Sequence, residues 1–158
     1  MSYWVMARTG VGAKMQIEGY DGEVSTYISN DYLGMSQRPE TKEAGINAVL
    51  KYGTGASAAQ AIGGYLDIHK QVEEGIVKFV GQGDIITGTF SKSFGCVGGF
   101  VAASKKLIQY LRYYADSNVF SAAITLQVVA SSLKALEHIQ TRPEIRKKLW
   151  TNVNYLRK

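Results

Sequence analysis

The chain has 158 residues, 46% of them hydrophobic and 20% charged, which excludes a disordered segment and suits one soluble globular domain. One cysteine, Cys96, excludes an internal disulfide framework and fits a reducing cytoplasm. The start MSYWVMARTG does not read as a signal peptide, and no apolar run reaches membrane-spanning length.

Residues 15–29, MQIEGYDGEVSTYIS, alternate in character around Asp21-Gly22, a dipeptide that favours a tight turn, and predict two short strands. NDYLGMSQRPE follows as a loop. Pro39 then opens a helix where its missing N–H does no harm, and the helix runs to about Lys51 and stops at Gly53. YGTGASAAQAIGGY reads as a loop rich in glycine and alanine. In LDIHKQVEEGIVKFVG, Ile68, Val72, Ile76, Phe79 and Val80 form one helical stripe ended by Gly81, and His69 falls at core spacing. DIITGTF is β-branched and apolar enough for a buried strand, and GGFVAAS reads as another. From Lys105 the pattern is helical over roughly 105–115, 124–140 and 143–158. The net charge of +5 lies largely there, on lysines and arginines spaced among leucine, isoleucine and tyrosine. That is the solvated face of amphipathic helices, and no nucleic-acid-binding module accompanies it. The element order is α/β, one strand short of a self-sufficient parallel sheet.

The candidate chemistry centres on GTFSKSFGCVGGF, residues 88–100. Lys92 stands after a strand among Thr87, Thr89, Ser91 and Ser93, followed by Gly95 and Gly98-Gly99. Small hydroxyls and free backbone N–H groups at a strand end make a phosphate cradle. A lysine in partly apolar surroundings loses proton affinity, and its neutral amine condenses with an aldehyde. Lysine, phosphate and aldehyde together describe pyridoxal 5′-phosphate (PLP). Two rivals fail on order. A P-loop needs its lysine after the glycines, and the dinucleotide-like GTGASA, residues 53–58, follows a helix instead of a strand. The residues point to no metal site.

GTFSKSFGCVGGFVAAS closely resembles the lysine segment of the α-oxoamine synthases, fold-type I PLP-dependent acyl-CoA:amino acid C-acyltransferases. NDYLGMSQRPE, KYGTGASAAQAIGGYLDIHKQVEE and SNVFSAAIT resemble further family segments in the family's order, so that together they cover most of residues 28–158. The resemblance implies an aminotransferase class I/II-like large domain and a homodimer whose active sites lie across the interface. It implies a covalent aldimine of PLP at Lys92, with Thr89 and Ser91 near the cofactor and Ser121 reaching the phosphate from the neighbouring subunit. Asn30 and Tyr32 would line the partner's pocket. The implied reaction condenses an amino acid with an acyl-CoA to an α-amino ketone.

The departures are as informative. Only Gly81-Gln82-Gly83 joins the FVG helix to the DIITGTF strand, where family members carry a long stretch. That stretch holds the histidine that stacks on the pyridine ring, the aspartate that binds the ring nitrogen and a loop that contacts the phosphate. Here His69 and His138 both belong to helices, and Asp84 begins the lysine strand. Gln60, Ala122 and Leu126 replace a frequent arginine, hydroxyl and proline. The chain divides into an N-terminal arm with a hairpin, residues 1–34, and a partial PLP-binding domain, 35–158, with an apparent internal deletion at about 81–84. The alternative is an inactive remnant that acts at most as a dimerising module.

Overall fold

The structure, a computed structural model, describes residues 6–81 and 85–157. The apparent internal join therefore lies in part outside the described residues, at 82–84.

The N-terminal arm folds as expected into an antiparallel pair, β1 (Lys14–Met15) and β2 (Val24–Ser25), with Met15 set against Val24. The turn is broader than the sequence predicts. Its register centres near Gly19-Tyr20, and Gly19 and Gly22 both take the positive φ that a side chain would resist. A bridge from Ala7 to Ile17 adds a third segment that the alternation did not reveal.

Helix α1 (Pro39–Tyr52) starts at its proline and ends where Gly53, at φ 88°, returns its N–H to Val49. Beyond it, Gln60–Gly64 forms a single π-helical turn within the stretch read as a loop. Helix α2 (Asp67–Val80) buries Ile68, His69, Val72 and Ile76, whereas Phe79 is exposed, at the edge of the stripe. Strands β3 (Ile85–Thr89) and β4 (Gly99–Ala103) pair antiparallel in register Thr89 to Gly99. They are followed by α3 (Lys105–Tyr114), a one-turn α4 (Asp116–Val119), α5 (Leu126–Thr141) and α6 (Pro143–Leu156).

The core is built around α5. Leu126, Val129, Ala130, Ala135, Leu136 and Ile139 are buried there against α1 and α2. Burying each of the larger side chains stabilises by about 1.5–3 kcal/mol. Close approach is set by one glycine on each flanking helix. A Cβ on Gly45 would lie 2.9 Å from Ser131 Oγ, and one on Gly75 would lie 2.9 Å from Leu136 Cδ2. Phe90, Phe94, Leu33 and Met35 extend this core to the end of the β3–β4 hairpin.

The expectation of a buried strand at 85–89 is corrected. Ile86 and Gly88 are half-buried, but Ile85 is 58% exposed and Thr87 and Thr89 face outward. Both ladders among the described residues are antiparallel pairs, and along β3 exposed and half-buried residues alternate, as in an antiparallel strand with one face open.

Candidate active site

Lys92 sits in the β3–β4 connection, residues 90–98, and the loop is held from both sides. Phe90 and Phe94 are buried, with ring centroids 5.2 Å apart in an edge-to-face pair, so the residue midway between them is turned outward. Backbone bonds Phe90 N–H to Gly98 O, Cys96 N–H to Phe90 O and Gly95 N–H to Lys92 O, each 2.9 Å, close the loop on itself. Lys92 is exposed, and the apolar surroundings expected for its amine are not formed. The phenyl rings take the inward positions of this loop and leave the lysine the outward one.

The hydroxyls gather beside it. Thr89 Oγ1 donates to the Gly98 carbonyl at 3.2 Å and accepts from the Ser91 N–H at 3.1 Å, with Ser91 Oγ 2.8 Å away. Because the Thr89 proton goes to Gly98, the Ser91 hydroxyl is the donor of that last pair. Tyr32 belongs to the same group within one chain: Lys92 Nζ lies over its ring, 5.6 Å from the centroid. Asn30 is exposed two residues earlier, and its carbonyl accepts from the Tyr32 N–H at 2.9 Å.

Asp31 is the residue that sequence reading passed over. Its carboxylate accepts from Met35 N–H at 2.8 Å, Ser36 N–H at 2.9 Å and Ser36 Oγ at 2.7 Å. The turn it closes lies directly on the lysine loop. Gly95, at φ 64°, has no room for a Cβ, which would fall 2.5 Å from Ser36 N and 3.0 Å from Asp31 Oδ1. An aspartate four and five residues before two N–H groups is a turn signal that was available but unused.

Ser121 lies elsewhere. It lines a cavity of about 570 Å³ formed by Gly55, Ser57, Ala58, Phe120 and Thr125, among others, and Lys92 is not part of that lining. Ser57, in a left-handed conformation at φ 60°, and the Ala123 N–H to Ala58 O bond of 3.4 Å shape it. His69 is structural. It is buried, its Nδ1 accepts from Leu66 N–H at 3.1 Å, and Nε2–H therefore donates to Ile124 O at 3.2 Å. Ile124 in turn approaches Gly98 of the lysine loop. Cys96 is no rival nucleophile, since burial first of all pushes its thiol up.

Residues 82–158, which include this hairpin and its lysine, match the family model for aminotransferase class I and II. The chain is 51% identical over 72 residues to serine palmitoyltransferase of Sphingobacterium spiritivorum, covering 46% of this chain and 18% of that protein. It is 45% identical over 86 residues to 8-amino-7-oxononanoate synthase of Coprothermobacter proteolyticus, covering 52% and 22%. Over these segments the chain is similar to members of the α-oxoamine synthase family. Its fold is the aminotransferase-like one. A solved structure of Sphingomonas wittichii serine palmitoyltransferase superposes with a TM-score of 0.87 at 15% identity, covering 95% of this chain and 70% of that one. A structure of SPT with its PLP internal aldimine gives 0.86 at 16%. The chain thus matches less than a quarter of the length of either curated relative named.

The donors present test how far the family's cofactor fits. An accessible amine and two hydroxyls at a strand end suit its aldehyde and phosphate. The ring end is different. Both described histidines are buried in helix packing, and the carboxylate nearest the lysine loop, Asp31, is committed to three donors of its own turn. Among the described residues the lysine end fits and the ring end does not.

Proposed function

We propose that this chain is part of a PLP-dependent enzyme that condenses an amino acid with an acyl-CoA, with Lys92 as the cofactor lysine. The observation that carries the reading is the placement of Lys92. It is the one lysine of the β3–β4 hairpin, inside the family-matched segment, with Thr89, Ser91 and Tyr32 around it. When bound, PLP supplies an electron sink for charge developing at the amino acid's α-carbon. Lys92 supplies the amine and carries protons, Thr89 and Ser91 offer hydroxyls to a phosphate, and Tyr32 presents a π face to the ammonium. Ser121, Asn30 and a second copy of the chain complete the pocket in this reading, in the cytoplasm.

The same reading divides the chain into the arm and hairpin of residues 1–34 and a partial cofactor domain, 35–158, internally shortened at about 81–84. The unfitted ring end favours a second reading beside the first, in which these 158 residues are a remnant that binds PLP weakly and does not turn over. Borohydride trapping separates them. The purified chain is mixed with PLP, reduced and digested, and the adduct is located by mass spectrometry. The enzyme reading expects a secondary amine at Lys92, lost in Lys92→Ala, and an amino ketone from amino acid and acyl-CoA. Absence of any Lys92 adduct in a chain of confirmed mass would falsify it. An adduct without product supports the remnant.

A further inference from the structure

We infer that Asp31 is a positioning residue for Lys92: by closing the 31–36 turn against Gly95, it holds the Tyr32 ring under the lysine amine. The inference rests on the reading of Lys92 as the cofactor lysine, and it concerns a residue that this reading leaves without a role.

Three observations carry it. First, the Asp31 carboxylate spends three acceptor contacts on one short turn, with Met35 N–H, Ser36 N–H and Ser36 Oγ at 2.8, 2.9 and 2.7 Å. Charge-assisted bonds of this kind are about twice as strong as neutral ones and fix the turn's shape. Second, that turn is anchored beneath by Leu33 and Met35, both buried, so it cannot slide over the core. Third, it meets the lysine loop backbone to backbone at Gly95, whose own N–H bonds the Lys92 carbonyl at 2.9 Å. Tyr32 follows Asp31 directly, so the shape of the turn sets where its ring lies, 5.6 Å from Lys92 Nζ. Among the described residues no hydrogen bond or ion pair restrains the Lys92 side chain, which is exposed. An exposed lysine samples many rotamers. A ring fixed beneath it biases that sampling toward one side of the loop.

A purely structural role for Asp31 would alter stability and leave the lysine's environment unchanged, so the test reads that environment. Lysines of the 158-residue chain are reductively methylated with ¹³C, and the Lys92 resonance is assigned by its absence in Lys92→Arg. In the unaltered chain it is displaced from the common lysine envelope by the Tyr32 ring. Tyr32→Leu returns it to the envelope. Asp31→Asn, which keeps the side-chain shape but places an amide donor against N–H and O–H donors, is expected to return it as well. Ser36→Ala, which removes one of the three contacts, moves it part of the way.

In a parallel arm, PLP and borohydride label the unmethylated chain. The ratio of adduct on Lys92 to adduct on exposed lysines drops about tenfold in Asp31→Asn, the scale expected when a reacting group loses its placement. A folded Asp31→Asn chain that keeps the displaced resonance overturns the inference. Should that variant fail to fold, Ser36→Ala and Gly95→Ala decide, and unchanged resonances in both overturn it equally. Failure of Lys92 to trap PLP in the unaltered chain, with the resonance still dependent on Asp31, would sink the cofactor reading and leave the positioning role standing.

Discussion

Two phenyl rings and one carboxylate decide what Lys92 can meet: Phe90 and Phe94 turn it outward, and Asp31 sets the turn that brings Tyr32 beneath it. The candidate lysine and its hydroxyls were legible in the residues, because small donors around a lone lysine are a local pattern. Its exposure was not, since that depends on which loop residues the helices behind the hairpin receive. A second residue yields a prediction in pH. His138, on the α5 face toward the start of α1, is 1% exposed, with no hydrogen-bond partner on either ring nitrogen among the described residues. It faces Arg142, Glu40, Lys134 and Arg38. Burial above all, and then the Arg142 guanidinium, hold it below its ordinary value of 6.5. The unfolded chain therefore takes up this proton first. The stabilisation is complete above pH 6.5 and is lost as pH falls toward the lowered folded value, at up to about 1.4 kcal/mol per pH unit. Glu40 is held below its usual range too, chiefly by a backbone hydrogen bond, so its own loss comes at lower pH. Urea unfolding at pH 7.5 and 5.5 should show the fall, and His138→Gln should flatten it. An unchanged slope in the variant would assign the fall to other groups.

At the scale of elements, α1, α2, β3, β4 and the C-terminal helices stand close to where periodicity and punctuation placed them. Pro39, Gly53, Gly81 and Pro143 each act through their own backbone, so their effect is readable without a fold. The π-helical turn at Gln60–Gly64 and the one-turn α4 were missed, because segments of four or five residues carry too little periodic signal. The α1–α5 contact gives a further prediction. Gly45 lets the two helices approach until Ser131 Oγ donates to Thr41 O at 3.3 Å. Gly45→Val is expected to force them apart and cost about 1–3 kcal/mol by overpacking. The measure is the midpoint of chemical denaturation, and a midpoint at or above that of the unaltered chain contradicts the close-packing argument. Gly→Ala would be a weaker test, since the gain in helix propensity offsets part of the clash.

Taken as a whole, the molecule buries one helical core and leaves much apolar surface outside it. Ile85 and Val101 on the open face of the hairpin are 58% and 47% exposed, Phe120 is 83% exposed, and Trp150 and Leu156 of α6 are 59% and 81% exposed. A two-stranded hairpin with helices on one side only has no second layer. The 17.3 kDa chain is therefore expected to self-associate at micromolar concentration, measured as a mass above the monomer's by light scattering after size exclusion. A clean monomer with cooperative unfolding would mean that these side chains find cover within the chain. No helix among the described residues is long and apolar enough to cross a membrane.

The residues by themselves determined the helix boundaries, the first hairpin, the resemblance to the family and Lys92 as the candidate, because each rests on local chemistry: a proline's fixed φ, a glycine's positive one, a lysine among hydroxyls. Only the tertiary structure decided that β3 is half-open, that Lys92 points to solvent, that Ser121 lines a separate cavity, and that Asp31 ties the Tyr32 turn to the lysine loop. Those facts depend on contacts between segments distant in the chain, as between Asp31 and Gly95. Such contacts are set by which faces α5 and its neighbours cover, and no local pattern in the chain encodes them.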